Sequence, residues 1–107
     1  MAGTIYCAIV MRVIAVKALQ DFWKEHPQAE GPLREWFAFV KRAQWKAPQD
    51  IKRDFASASF VGNNRIVFNI RGNHYRLVVV ALLQISTLYV RFIGTHATYD
   101  KIDVIKV

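Results

Sequence analysis

The chain has 107 residues, 53% of them apolar or aromatic and 21% charged, which is enough for one core and short of a second domain. A single cysteine excludes an internal disulfide, and no uninterrupted apolar run reaches the roughly 20 residues that a membrane-spanning helix needs. The formal net charge of +7 is unevenly spread: between Phe55 and Tyr99 the arginines Arg65, Arg71, Arg76 and Arg91 meet no acid, which favours a polyanionic partner, nucleic acid above all, over mere solubility.

Residues 1–10 stand apart from the pattern that follows and are expected to be an extension upstream of a start at Met11, leaving 11–107 as a single domain. They contain the lone Cys7 and lack the cationic region of a secretory signal, so a cytoplasmic protein is expected. "MRVIAV" (11–16) is a short β-branched run that reads as a strand. Over 17–28, Leu19, Phe22 and Trp23 recur at helical spacing until Pro27 stops the run. Over 31–45, Pro32 suits a first turn, and Leu33, Trp36, Phe37 and Val40 form an i, i+3, i+4, i+7 stripe. These two segments predict antiparallel helices whose tryptophans belong to the core. "APQDIKRDF" (47–55) reads as a short helix or turn opened by Pro48, with Lys52 and Arg53 as candidates for a phosphate-facing rim.

From Ser57 the period changes to two. Strands are expected at 57–61, 65–70, 74–83 and 87–94, parted by Gly62-Asn63-Asn64, Arg71-Gly72-Asn73 and Gln84-Ile85-Ser86. Glycine and asparagine tolerate positive φ, so the first two breaks suit hairpin turns. The whole is an α+β arrangement, two N-terminal helices against an antiparallel meander. Strict alternation sets Ile66, Phe68 and Ile70, Tyr75, Leu77 and Val79, and Leu88, Val90 and Phe92 apart from the residues between them. Arg65, Arg76 and Arg91 fall among the latter, on a second face.

No phosphate-binding glycine loop, paired metal-ligand spacing or serine nucleophile motif is present, so neither metal nor cofactor is expected. The densest chemistry lies in "GTHATYDKID" (94–103). A helical turn there puts His96, Tyr99 and Asp100 at i, i+3 and i+4 on one face, with Lys101 beside them. An imidazole and a phenol can both move protons, and arginines stabilise a charged phosphorane. Those are the parts of metal-free RNA cleavage through the ribose 2′-OH. The commoner reading of such a segment is a surface turn capped by Thr95.

The runs "RVIAVKALQDFW", "KAPQDIK", "FNIRGNHYRLVV" and "RFIGTHATYDKID", taken together and in this order, resemble the HigB toxins of type II toxin–antitoxin modules over residues 11 to about 103. The resemblance implies a RelE/ParE-like fold and ribosome-dependent cleavage of mRNA that inhibits translation. It also implies neutralisation by a HigA-type helix-turn-helix antitoxin, with oligomers formed only through that complex. It favours a functional reading of the closing cluster. His96 becomes an acid or base, Arg76 stabilises phosphate and Tyr99 orients RNA or moves the second proton, with Arg71 beside them. Asn73, Arg91, Asp100, Lys101, Lys52 and Arg53 are implied as RNA or ribosome contacts, and His74 as a surface residue. Two other readings use the same fold or the same arginines: a ParE-like inhibitor of DNA gyrase, and a non-catalytic RNA- or ribosome-binding module.

Overall fold

Prolines divide the helical half of the chain. In the computed structural model, which describes residues 11–107, β1 (Arg12–Ile14) leads into α1 (Lys17–Glu25). Helix α1 ends before Pro27, whose ring cannot continue it, and a 3-10 turn at Pro27–Ala29 passes directly into α2 (Glu30–Arg42). Both helices stop short of the stretches their periodicity marks, because His26 and Ala43 leave helical backbone geometry. Pro48 opens α3 (Pro48–Asp54), and the expected extension at 1–10 lies outside the described residues.

The strands follow as β2 (Ser59–Gly62), β3 (Arg65–Ile70), β4 (Tyr75–Leu82) and β5 (Thr87–Thr95), closed by the single turn of α4 (His96–Tyr99). They form one sheet in the order β1-β5-β4-β3-β2. The meander β2–β5 is antiparallel as expected, while β1 joins its edge parallel to β5, with Val13 opposite Leu88, so the sheet is mixed. Asn63 and Asn64 carry φ of 53° and 62° between β2 and β3, the conformation that lets a two-residue hairpin match strand twist.

The helices cover one face of the sheet. Leu33, Trp36 and Val40 of α2, Leu19 of α1 and Ile51 of α3 are buried against Ile66, Phe68, Ile70, Leu77, Val79, Leu88 and Val90. Phe68 is the hub, with Trp36 at 5.4 Å, Phe55 at 5.2 Å and Trp45 stacked at 6.3 Å between ring centroids. Trp36, as its helical spacing predicts, and Trp45, beyond the end of α2, are core residues, while Trp23 is half-buried against the core.

The alternation expected for β5 holds only as far as Val90. Val79 pairs with Val90 but Val78 with Phe92, so Arg91 is an extra residue, a β-bulge. A bulge inverts the facing of everything beyond it. Ile93, opposite Leu77, turns to the core, and Phe92, opposite Val78, turns to the outer face, the reverse of strict alternation. On that outer face Val67 and Val78 are buried without belonging to the helix-covered core. The C-terminal segment accounts for this by returning along the sheet. Asn63 Nδ2 donates to the Ile105 carbonyl at 3.1 Å, and Arg65 Nε donates to the Val107 main-chain oxygen at 3.2 Å.

Candidate active site

Arg76 stands on the outer face, directly between Asn69 of β3 and Gly94 of β5. Its Nη1 donates to the Asn73 carbonyl at 3.1 Å, which ties the guanidinium to the β3–β4 turn. The same guanidinium lies over the Tyr99 ring, 5.8 Å from its centroid, a cation–π placement. Phe92 flanks Tyr99 at 6.4 Å. The bulge at Arg91 is what allows that contact, since without it Phe92 would point into the core.

Gly94 leaves room for this arrangement. A Cβ at that position would sit 2.5 Å from the tip of the Phe92 ring, so the ring lies where any other residue would project. Immediately after it, Thr95 caps α4: its Oγ1 accepts from the Thr98 N–H at 3.2 Å and lies 3.0 Å from the Thr98 hydroxyl. Four residues make a weak helix alone, so this cap and packing on β4 and β5 fix the turn. The turn brings His96 Nε2 to 3.5 Å from Asp100 Oδ1, the i, i+4 pairing its spacing predicts. His96 and Asp100 are solvent-exposed and Tyr99 is half-buried.

The other candidates divide by place. Arg71 and Asn73 occupy the β3–β4 turn, exposed, with Arg71 at φ 53° and Gly72 at φ 64°. Arg71 also borders a cleft shared with Asn69, Asp54, Phe55 and Phe39, which links the turn to the end of α3. Arg91 is exposed on the bulge and Lys101 is exposed just past α4. His74 is exposed at the start of β4, where its carbonyl accepts from the His96 N–H at 3.2 Å.

Lys52 and Arg53 sit apart, on α3, each with an internal partner. Lys52 Nζ donates to the Ala58 carbonyl at 2.7 Å, clamping the loop after the helix. Arg53 lies 3.4 Å from Asp50 and 3.3 Å from Asp54. Asp54 also accepts from the Trp45 indole N–H at 2.9 Å, and that bond, followed by the Arg53 guanidinium, holds its carboxyl below the usual carboxylate range. The Asp50 carboxyl is likewise held low, chiefly by the backbone N–H of Lys46. Among the described residues, no three histidine, cysteine or acidic side chains come together as a metal would need.

Spacing in the sequence reveals the His96–Tyr99–Asp100 face but not the parts that place it. Phe92, Gly94 and the bulge belong to strand pairing, which leaves no local signal. The adjacency of His74 and His96 likewise needs the β4–β5 register.

A family model for HigB toxin, the RelE-like toxic component of a toxin–antitoxin system, matches residues 29–102, from the end of the 3-10 turn through α4. The mRNA interferase toxin HigB of Escherichia coli K12 is 29% identical over 92 residues, covering 84% of this chain and 88% of that protein. The mRNA interferases HigB of Escherichia coli O157:H7 and Shigella flexneri match to the same extent. With the two-layer α+β fold and the arginine-lined face already described, the chain belongs to the HigB family of RelE-like toxins.

Proposed function

We propose that this toxin is an mRNA interferase, an endoribonuclease that cuts mRNA on the ribosome and so halts translation in the cytoplasm. One observation carries the reading. The Arg76 guanidinium lies over the Tyr99 phenol where α4 meets the sheet, and the exposed His96 imidazole belongs to the same helical turn, on a stretch that carries no acid from Phe55 to Tyr99. The names of the relatives support the same activity.

The chemistry follows from those groups. A base takes the proton of the ribose 2′-OH, whose oxygen then bonds to the adjacent phosphorus. Arg76 neutralises the charge that develops on the non-bridging oxygens. An acid protonates the departing 5′-oxygen as the P–O bond breaks, leaving a 2′,3′-cyclic phosphate and a 5′-hydroxyl. His96 is one of the proton-transfer groups. Tyr99, held between Arg76 and Phe92, orients the RNA or moves the second proton. Arg71, Asn73, Arg91, Asp100 and Lys101 extend the face as RNA or ribosome contacts, and Lys52 and Arg53, apart from it on α3, are a separate ribosome contact. The natural inhibitor is a HigA-type helix-turn-helix antitoxin, and higher assemblies form through it.

The test is cleavage of a defined mRNA by purified protein, with and without translating ribosomes, beside His96→Ala. Ribosome-dependent cuts that fall about 100-fold or more in the variant, at unchanged ribosome binding, are expected. Tight RNA or ribosome binding with no cut product would instead make the protein a non-catalytic binding module.

A further inference from the structure

We propose that the cleft between α2, α3 and the β3–β4 turn is a nucleobase subsite, which seats one unstacked base of the mRNA beside the scissile phosphate. The inference rests on the endoribonuclease reading and names what would set its sequence preference.

The cleft has a volume of about 420 Å³, and aromatic side chains supply its walls. Trp36 and Phe39, three residues apart, share one face of α2, and Phe55 follows the end of α3. Phe39 and Phe55 meet edge to face at 5.2 Å, and Phe39 remains 43% exposed, a flat ring open to stack a base. Trp36 is buried, and its indole N–H is the sole buried side-chain polar atom without a hydrogen-bond partner among the described residues. Such donors are normally satisfied, so this wall lacks an acceptor of the kind a base carries.

Charge decides which part of a nucleotide enters. Glu35 and Asp54 both border the cleft, and Asp54 is already engaged by the Trp45 indole and by Arg53. Glu35 is exposed and, among the described residues, has no cation within ion-pairing distance. A carboxylate there repels phosphate and accepts from the N–H donors of a base edge. Arg71 borders the same cleft from the turn, equally without an ion-pair partner. The phosphate therefore belongs on Arg71 and the base between the rings, with Glu35 to receive its N–H groups.

Strand pairing connects the cleft to the catalytic face. β2 pairs with β3 only as far as Val67, so Asn69 and Ile70 lie where β3, among the described residues, has no partner strand on that side. Asn69 borders the cleft and stands directly opposite Arg76, which puts their Cβ atoms about 5 Å apart. Only the width of β3 separates the cleft from the strand that carries Arg76. A chain held by that guanidinium can pass the open edge and lay its neighbouring base against Phe39.

The experiment maps and times cleavage of an mRNA with a randomised window on programmed ribosomes. It compares wild type, Phe39→Leu, Phe39→Tyr and Glu35→Gln, with melting temperature and ribosome pelleting as controls. Wild type is expected to prefer one base at a fixed position flanking the cut. Phe39→Leu keeps an apolar side chain but loses the flat ring. Preferred sequences should then be cut about 10-fold more slowly at subsaturating protein, and preference at that position should flatten. Phe39→Tyr should match wild type in both respects, and Glu35→Gln should change which base is preferred there. Wild-type cutting indifferent to flanking bases, or a preference unchanged in Phe39→Leu and Glu35→Gln, overturns the subsite and leaves the endoribonuclease reading standing. So does a loss that is equal for all sequences and follows ribosome binding, which would make the cleft a ribosome contact. A wild type that never cuts overturns both.

Discussion

Arg71 sits at φ 53°, where a side chain costs about 1 kcal/mol relative to glycine. Glycine follows it at φ 64°, so the turn uses the left-handed region twice in succession. Glycine would serve that backbone at lower cost, so it can replace the arginine without loss of the turn. Arg71→Gly separates the roles of backbone and side chain. Thermal melting should show stability unchanged or raised by up to about 1 kcal/mol, while single-turnover cleavage falls about 10-fold through loss of a charge-assisted phosphate contact. Undiminished cleavage in the variant would remove Arg71 from the site.

At the scale of elements, α3 is held by its carboxylates. Asp54 joins the buried Trp45 indole to Arg53, and Asp50 accepts from the N–H groups of Lys46 at 2.9 Å and Ala47 at 3.2 Å before the helix begins. Both carboxyls are held below their ordinary value, so their folded forms are the more acidic. Their stabilisation is therefore complete above the unfolded value and is lost as pH falls through the lower folded value, in the acid range below about pH 4. Asp54→Asn should lower the melting temperature by a few degrees at neutral pH, with the gap to wild type closing as the solution is acidified. A gap that persists unchanged in acid would show that the Asp54 charge is not what stabilises α3. How far these elements were legible depends on period. The α2 stripe and the inward residues of β3 follow from local spacing, as does the His96–Asp100 pairing in α4. The bulge at Arg91 does not, because one inserted residue changes facing without changing composition. Phe92 and Ile93 therefore exchange faces, and with them goes the wall against which Tyr99 rests. The engagement of Lys52 with Ala58 was equally hidden, since a lysine that clamps a loop reads as one that faces solvent.

At the scale of the whole molecule, folding sorts the cations into paired and open sets. Lys17 bonds Asp21, Arg34 bonds Glu30, Arg53 bonds Asp50 and Asp54, and Lys106 lies beside Asp103. Among the described residues, no carboxylate lies within ion-pairing distance of Arg71, Arg76 or Arg91, all borne by the acid-free stretch of the sheet. Arg71, Arg76 and Arg91 thus leave positive potential by the site of His96 and Tyr99, where it would draw a phosphate backbone. Such binding releases counterions, so log K should fall linearly with log salt, each phosphate contact contributing about 0.7 to the slope for a single strand. Arg91→Ala should flatten the slope by roughly that amount, since Arg91 is exposed on the bulge and faces no competing acid. Lys17→Ala should leave it unchanged, because its charge is already met by Asp21 at 2.9 Å. Titrating RNA affinity against salt for the two variants decides the matter. Equal flattening by both would mean that net charge alone attracts RNA, and the polarised face would lose its part in recognition.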